Sequence, residues 1–213
     1  MTGPFRNACY RNTRYDGVVP RNRDHDAQRE RLSEAVFATL AERGAGGLTL
    51  RAVAERAGCT TGLVLHTFPD KRALLLHARD VLHERTRVRS DALEREAPDP
   101  AAAVRAVVLG ALPTDRATSE ESRVWLGFLS AALSDPALAE RHAAHSRAFV
   151  ERLTRLLGAA DPAAPGDAPA RALALAALVE GVSSLASGDP DRWTAERQRA
   201  AVEVVLDAAL VQS

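Results

Sequence analysis

The side chains best suited to meeting a polyanion crowd into one short segment: Thr49, Arg51, Thr60, Thr61, His66 and the chain's only lysine, Lys71. A threonine at a helix N-terminus can donate its hydroxyl to a phosphate where the free first-turn amides also point. Thr49 is placed for that, and Arg51 can reach a phosphate or a guanine edge. Thr61, Leu65 and His66 are candidates for base edges, Leu65 only through apolar contact with a thymine methyl. No bidentate Arg, Asn or Gln lies between Thr61 and Phe68. Moderate sequence discrimination is expected, aided by Arg51 and by DNA shape.

Two short helices must position these groups. Thr49 precedes an apolar-periodic run and can cap it. Leu50, Val53, Ala54 and Ala57 recur at helical spacing, so one face is buried. Ala54 is small where a second helix must cross. Gly58 follows the last periodic residue, as a C-terminal glycine in the left-handed region does, and Cys59 fills the turn. Thr60 or Thr61 caps the next helix, Thr61–Phe68, which buries Leu63, Val64 and Phe68 and turns Thr61, Gly62, Leu65 and His66 outward. A small residue, a glycine four later and β-branched Val64 six after that make the steric signature of a helix-turn-helix. Ordinary helical bundles also contain αα-hairpins with glycine turns, and the pattern alone leaves both readings open.

Other reactive groups lie further on. His142 and His145, at i and i+3, could seed a metal site, but no third ligand is evident, so neither metal nor cofactor is expected. No phosphate-cradling glycine loop or nucleophile elbow occurs, and an enzyme is not expected. Trp125 and Phe128 lie a turn apart. His142 and His145 share a stripe with Leu138, Phe149, Leu153 and Leu156, and Glu180, Ser183 and Ser184 interrupt an otherwise apolar helix. A carboxylate beside aromatics could attract a cation, although a 4% aromatic content leaves few rings for a quaternary-ammonium cage. An inward histidine is also, and more often, a hydrogen-bonded core residue.

With 213 residues and 46% hydrophobic content, the chain is long enough for a real core. No apolar run reaches the roughly 20 residues of a membrane span, no signal-peptide pattern opens the chain, and Cys9 and Cys59 are poor material for a disulfide framework. A cytoplasmic protein with no membrane partner is expected. The formal net charge is zero, yet residues 1–80 hold 13 basic against 9 acidic residues and the remainder 15 against 19. That polarity suits a basic head on a mildly acidic body.

Residues 1–24 lack periodicity and read as a disordered arm; its arginines could brush DNA, or it could be a leader without a role. Helical periodicity then predicts Asp26–Arg43, the helix-turn-helix, a long helix from Asp70 to about Glu96, and Ala101–Leu112, Glu120–Leu133, Ala137–Leu157, Ala170–Ser187 and Thr194–Val211. A Pro/Ala/Gly linker at Gly158–Pro169 separates the last two from the rest. No strand alternation appears. The expected fold is all-α with about nine helices: a head over residues 25–72 and a second helical domain over 73–213.

The segment Thr49–Leu75 resembles the DNA-binding domain of the TetR family of bacterial repressors, with Thr49, Val53, Ala54, Ala57, Gly58, Thr60, Gly62, Val64, Phe68, Lys71 and Leu74 in register. Leu65 stands where the family has tyrosine and Thr67 where it has His or Tyr, so this chain loses the aromatic that meets phosphate or thymine. The segments SRVWLGFLSAALSDPALAERH and ALVEGVSSLASGDPDRWTAERQRAAVEVVLDAAL resemble the C-terminal domain of the BetI-type branch. The resemblance implies that Thr60 and Lys71 hold phosphates. It also implies a homodimer through the last two helices, about 170–211, on a palindromic double-stranded operator, released when a small-molecule effector enters a chamber lined by the long helix. Trp125, Phe128, His142, His145, Phe149, Glu180 and Ser184 are then the candidate chamber residues. On that reading Leu175, Leu178, Val182 and Leu185, with Val202, Val205, Leu206 and Ala209, face the partner copy, unless they close the monomer's own core. Such a repressor is cytoplasmic and nucleoid-associated when bound. The alternative is a helical protein–protein adaptor with a vestigial head, suggested by Leu65 and Thr67.

Overall fold

The computed structural model describes residues 21–163 and 165–210. These form nine α-helices and no strand: α1 (Arg21–Gly47), α2 (Leu50–Ala57), α3 (Thr61–Thr67), α4 (Lys71–Glu96), α5 (Pro100–Gly110), α6 (Arg116–Ala132), α7 (Pro136–Ala160), α8 (Ala168–Gly188) and α9 (Ala195–Leu210), with one 3-10 turn at Pro165–Asp167. Most of the predicted arm lies outside the described residues, but Arg21 to Asp24 are already helical.

Helix starts follow the caps. The side chains of Asp70, Asp99 and Asp135 each accept a first-turn amide, and Pro100 and Pro136 occupy first-turn positions where a missing N–H removes nothing. At α6 the side chain of Asp115 accepts from the Thr118 amide at 2.9 Å while the Asp115 amide donates to the Thr118 hydroxyl at 3.1 Å. This reciprocal box starts α6 at Arg116, ahead of the predicted Glu120, because threonine does the work more often given to Glu or Gln.

The apolar side chains gather in two clusters. The first joins α1, α2, α3 and the start of α4 to α6 through Leu40, Val53, Val64, Leu74, Val124 and Phe128. The second joins α5, α7, α8 and α9 through Val104, Leu153, Leu175, Val202 and Leu206. Helix α4, at 26 residues roughly 39 Å long, serves both: Leu74 to Leu82 sit in the first and Leu93 packs on the second. Helix α6 approaches α1 closely at Gly127, where a Cβ would come 2.9 Å from the buried Leu40 Cδ1.

Two expectations are corrected here. Leu175, Val182, Val202 and Leu206 are buried in their own chain, while Leu178 and Ala209 pack half-buried against the same core; of the residues assigned to a partner-facing surface only Leu185 and Val205 are exposed. The exposed stripe of α8 is instead Leu173, Ala177, Gly181 and Leu185, and that of α9 is Ala200, Val204, Val205 and Ala208. The sequence showed two apolar faces per helix and gave no sign of which met the core. Likewise, α8 is long and apolar enough by length and composition to cross a membrane. Its Leu175, Val179 and Val182 are buried among the helices of the second cluster, which explains that composition without a bilayer.

Candidate functional site

The first candidate surface is built on α2 and α3. Thr49 caps α2, its hydroxyl accepting from the Ala52 amide at 3.1 Å, and Gly58 ends it at φ 65°, where L side chains are strained. Thr60 caps α3, accepting from the Leu63 amide at 3.3 Å. Val64 and Phe68 anchor α3 in the core, leaving Thr61, Gly62, Leu65, His66 and Thr67 exposed, with Leu65 46% accessible. Arg51 and Lys71 are exposed on either side of α3 in sequence and form no ion pair with a described residue. Arg56 differs, being tied to Glu42 on α1, which holds the Glu42 carboxyl below its ordinary pKa. A short helix with an apolar tip, flanked by free cations, can enter a groove and neutralise phosphates.

The second candidate site is a cavity of about 280 Å³ between the two clusters, walled by α4, α5, α6, α7 and α8. Trp125, His145, Phe149 and Glu180 line it, together with Ser183. Phe128 does not; it is fully buried in the first cluster, one turn past Trp125. His142 stands behind the wall, its ring 6.4 Å from that of Trp125. Ser184 points away on the exposed side of α8, because a one-residue step on a helix turns the side chain by about 100°.

Sequence reasoning missed the group that dominates this cavity. Arg79 on α4 is only 6% exposed, and its Nε is buried with no hydrogen-bond partner. Burial pushes its pKa down to about 10, with Asp80 and Glu180 opposing, so it stays charged at neutral pH. The signal was present: Arg79 interrupts the stripe Leu75, Ala78, Leu82, where a solvated arginine has no place. His83 and His145 stack at 4.0 Å with an interplanar angle of 3°. Burial and then Arg79 hold both below the usual imidazole pKa, His145 at about 3. Burial raises the Glu180 carboxyl, against the pull of Arg79. Among the described residues no three His, Cys, Asp or Glu side chains converge on a possible metal site.

The cavity and the head are mechanically joined. On α4, His77 Nε2 lies 2.9 Å from Ser33 Oγ of α1 while its ring meets that of Phe68 at 4.9 Å. Arg85 donates to Glu34 of α1 at 2.6 Å and covers the Phe37 ring at 4.1 Å. On α6, Trp125 faces the cavity while Val124, Gly127 and Phe128 face α1.

Comparison with known proteins places this architecture. Residues 33–78 match the profile of the bacterial regulatory proteins of the tetR family, and residues 100–211 that of the BetI-type transcriptional repressor C-terminal domain. The chain belongs to the TetR family. It is similar to the HTH-type transcriptional regulator BetI of Stenotrophomonas maltophilia, 31% identical over 186 residues, covering 85% of this chain and 92% of that protein. BetI of Burkholderia cenocepacia is 32% identical over 181 residues, covering 81% and 90%. Among solved structures, a transcriptional regulator from Rhodococcus is 31% identical with a TM-score of 0.76, covering 85% of this chain and 95% of that one. A regulator from Saccharomonospora viridis, solved with choline, has the same fold at 19% identity, TM-score 0.80, over 89% and 100%. This TetR-family chain is therefore a DNA-binding transcriptional regulator and not an enzyme, and membership implies a cytoplasmic location.

Proposed function

We propose that two copies of this TetR-family chain bind a palindromic operator as a homodimer, reading it with α3, and that a small molecule entering the cavity beside α4 releases them. The observation that carries this reading is the exposed tip of α3 between unpaired Arg51 on α2 and Lys71, which opens the same α4 that walls the cavity. In it, Thr49, Thr60 and Lys71 bind phosphates, Arg51 a phosphate or guanine, and Thr61, Leu65 and His66 touch base edges beside Gly62, whose bare backbone admits close approach. The dimer forms through α8 and α9, whose exposed stripes of Leu173, Ala177, Gly181, Leu185, Val204 and Val205 are small and apolar enough for a four-helix bundle. Such a dimer spaces two α3 helices by about 35 Å, one turn of DNA. On its operator the protein resides at the nucleoid.

Release needs unequal affinity of the effector for the DNA-bound and free forms. Helices α4 and α6 supply the route, since each touches the cavity on one face and α1 on another. Choline, bound by the neighbour from Saccharomonospora, is not the effector this cavity favours: a buried, charged Arg79 opposes a cation.

The test is selection of genomic fragments by the purified full chain, followed by salt-dependent binding to the enriched sequence. Lys71→Ala is expected to weaken binding to every duplex alike and to reduce the salt slope by about 1, while His66→Ala changes the preference between operator variants. Equal loss on all operators for His66→Ala ends its base-reading role. Absence of salt-dependent duplex binding overturns the reading in favour of a helical adaptor.

A further inference from the structure

We infer that the cavity takes a small amphipathic carboxylate whose charged end is received by the guanidinium of Arg79. This deepens the effector-release reading and rests on it for its biological meaning, though not for its chemistry. Three observations carry it.

First, Arg79 lacks the partner that the neighbouring arginines have. Arg89 forms a two-pronged pair with Glu121 at 3.0 and 2.7 Å. Arg152 is held by Asp91 and Glu94, and Arg87 by Glu84 and Asp91. Arg79 is more buried than any of these, yet makes no hydrogen bond or ion pair with a described residue. It has only the Phe128 ring, whose centroid is 6.0 Å away at the outer limit of a cation–π contact, and the more distant pull of Asp80 and Glu180. A buried charge without a partner is strongly unfavourable, and a planar guanidinium fork matches a carboxylate better than any other common group.

Second, Arg79 is the cavity-lining arginine that no carboxylate pairs, whereas Arg87, Arg89 and Arg152 each hold one. Burial moves Glu180 towards its neutral form but leaves Arg79 ionised, and Glu180 is not ion-paired with Arg79 despite sharing the cavity. A cation would have to sit beside the unpaired guanidinium of Arg79. An anion neutralises that charge and drives Glu180 further towards the protonated form, which can donate a hydrogen bond to it. The stacked His83 and His145 are held neutral, so they bring no second cation, and the buried His145 Nδ1 has no partner of its own.

Third, the cavity is modest in size and carries an apolar patch among polar residues such as Thr86, Ser90, Thr118, Ser122 and Ser146. Leu82, Trp125, Ala148, Phe149 and Val179 take the tail, and about 280 Å³ suits a molecule of on the order of a dozen non-hydrogen atoms.

The experiment measures head-group preference on the full chain without DNA, by calorimetry and tryptophan fluorescence. Two tail series serve as probes: octanoate, octanol and octyltrimethylammonium; and 2-naphthylacetate, 2-naphthylethanol and 2-naphthylethyl-trimethylammonium. The carboxylate is expected to bind tightest in at least one series, by roughly tenfold to a hundredfold. Arg79→Met is expected to bring the three heads within a few-fold of one another. It should also raise the ligand-free melting temperature, since it removes an unpaired buried charge that a merely structural arginine would not represent. Equal binding of all heads, preference for the ammonium, no carboxylate binding in either series, or a preference that survives Arg79→Met each overturns the inference. Should Arg79→Met fail to fold, Glu180→Gln decides: it is expected to preserve or tighten carboxylate binding and remove its weakening as pH rises, and a weaker carboxylate complex overturns the inference. A chain that prefers carboxylates but ignores DNA sinks the regulator reading alone. One that binds DNA without any head-group preference sinks this inference alone.

Discussion

The head and the cavity of this protein handle polar groups in opposite ways. In the head, polar atoms are answered close by in sequence: Thr49 by Ala52, Thr60 by Leu63 and Asp70 by Ala73, each three residues on. In the cavity, polar groups arrive from α4, α6, α7 and α8, and two buried atoms, Arg79 Nε and His145 Nδ1, have no partner. A reading head must hold one shape before it meets DNA, so its helix caps are satisfied in advance, although Thr39 Oγ1 on α1 is buried without a partner. A sensor must gain something from its ligand that it lacks alone, and in the cavity the unmet group is a charged one, Arg79.

The severest test of this contrast is Val64→Asp, which places a carboxylate at a fully buried position of the head. It is expected to cost about 3–5 kcal/mol and to abolish DNA binding, measured by thermal unfolding and by operator titration. A single lowered transition is expected, because α4 and α6 contribute to head and cavity alike. Two separate transitions would show that the regions are independent and break the comparison.

Acidification probes the other region. Burial holds His145 neutral in the fold, with a pKa of about 3, whereas an unfolded imidazole titrates near 6.5. The unfolded chain therefore binds the proton first, and stability rises with pH across that window. The contribution of His145 is whole above about 6.5 and drains as pH falls towards about 3. His145→Phe keeps a ring against His83 and removes the titration. Its melting temperature is expected to fall less steeply than that of the parent between those limits, and parallel curves would refute the assignment.

The joint between the regions is tested by Gly127→Val. The buried Leu40 leaves no room for the added carbons, so a loss of about 1–3 kcal/mol is expected from overpacking, read by chemical denaturation. An unchanged midpoint would mean that α1 and α6 slide freely past each other.

The same contrast explains what the sequence disclosed. The head was legible because its determinants are local: a cap, a periodic face, a left-handed glycine and a second cap follow one another along the chain. The helices of the second domain were legible for the same reason, with boundaries displaced most at α6, where the uncommon capping pair Asp115 and Thr118 set the start, and at α7, which runs on to Ala160 into the expected linker. The cavity was not legible, because whether a side chain lines it depends on five helices at once. Phe128 and Trp125 lie a turn apart and separate into core and cavity; Ser183 and Ser184 are adjacent and separate into cavity and exterior. Arg79 is marked in the sequence only as a violation of the apolar period of α4, and a violated period does not say what the misplaced residue faces.

The smallest expected effect carries the contrast in its sign. Thr49→Ala removes a hydroxyl that accepts the Ala52 amide at 3.1 Å, in a cap whose loss should cost about 1 kcal/mol. Thr49→Ser keeps the hydroxyl and should recover most of that, measured by denaturant midpoint in the full chain. Thr60→Ala should lose less, its bond to Leu63 being longer at 3.3 Å and exposed to solvent that can substitute. In the head, then, deleting a polar group destabilises, by an amount that tracks the quality of its local bond. Deleting Arg79 from the cavity is expected to stabilise, because there the polar group waits for a partner that the chain does not supply. If Thr49→Ala and Arg79→Met shifted stability in the same direction, the two regions would obey one rule, and the division between a satisfied reader and an unsatisfied sensor would have to be given up.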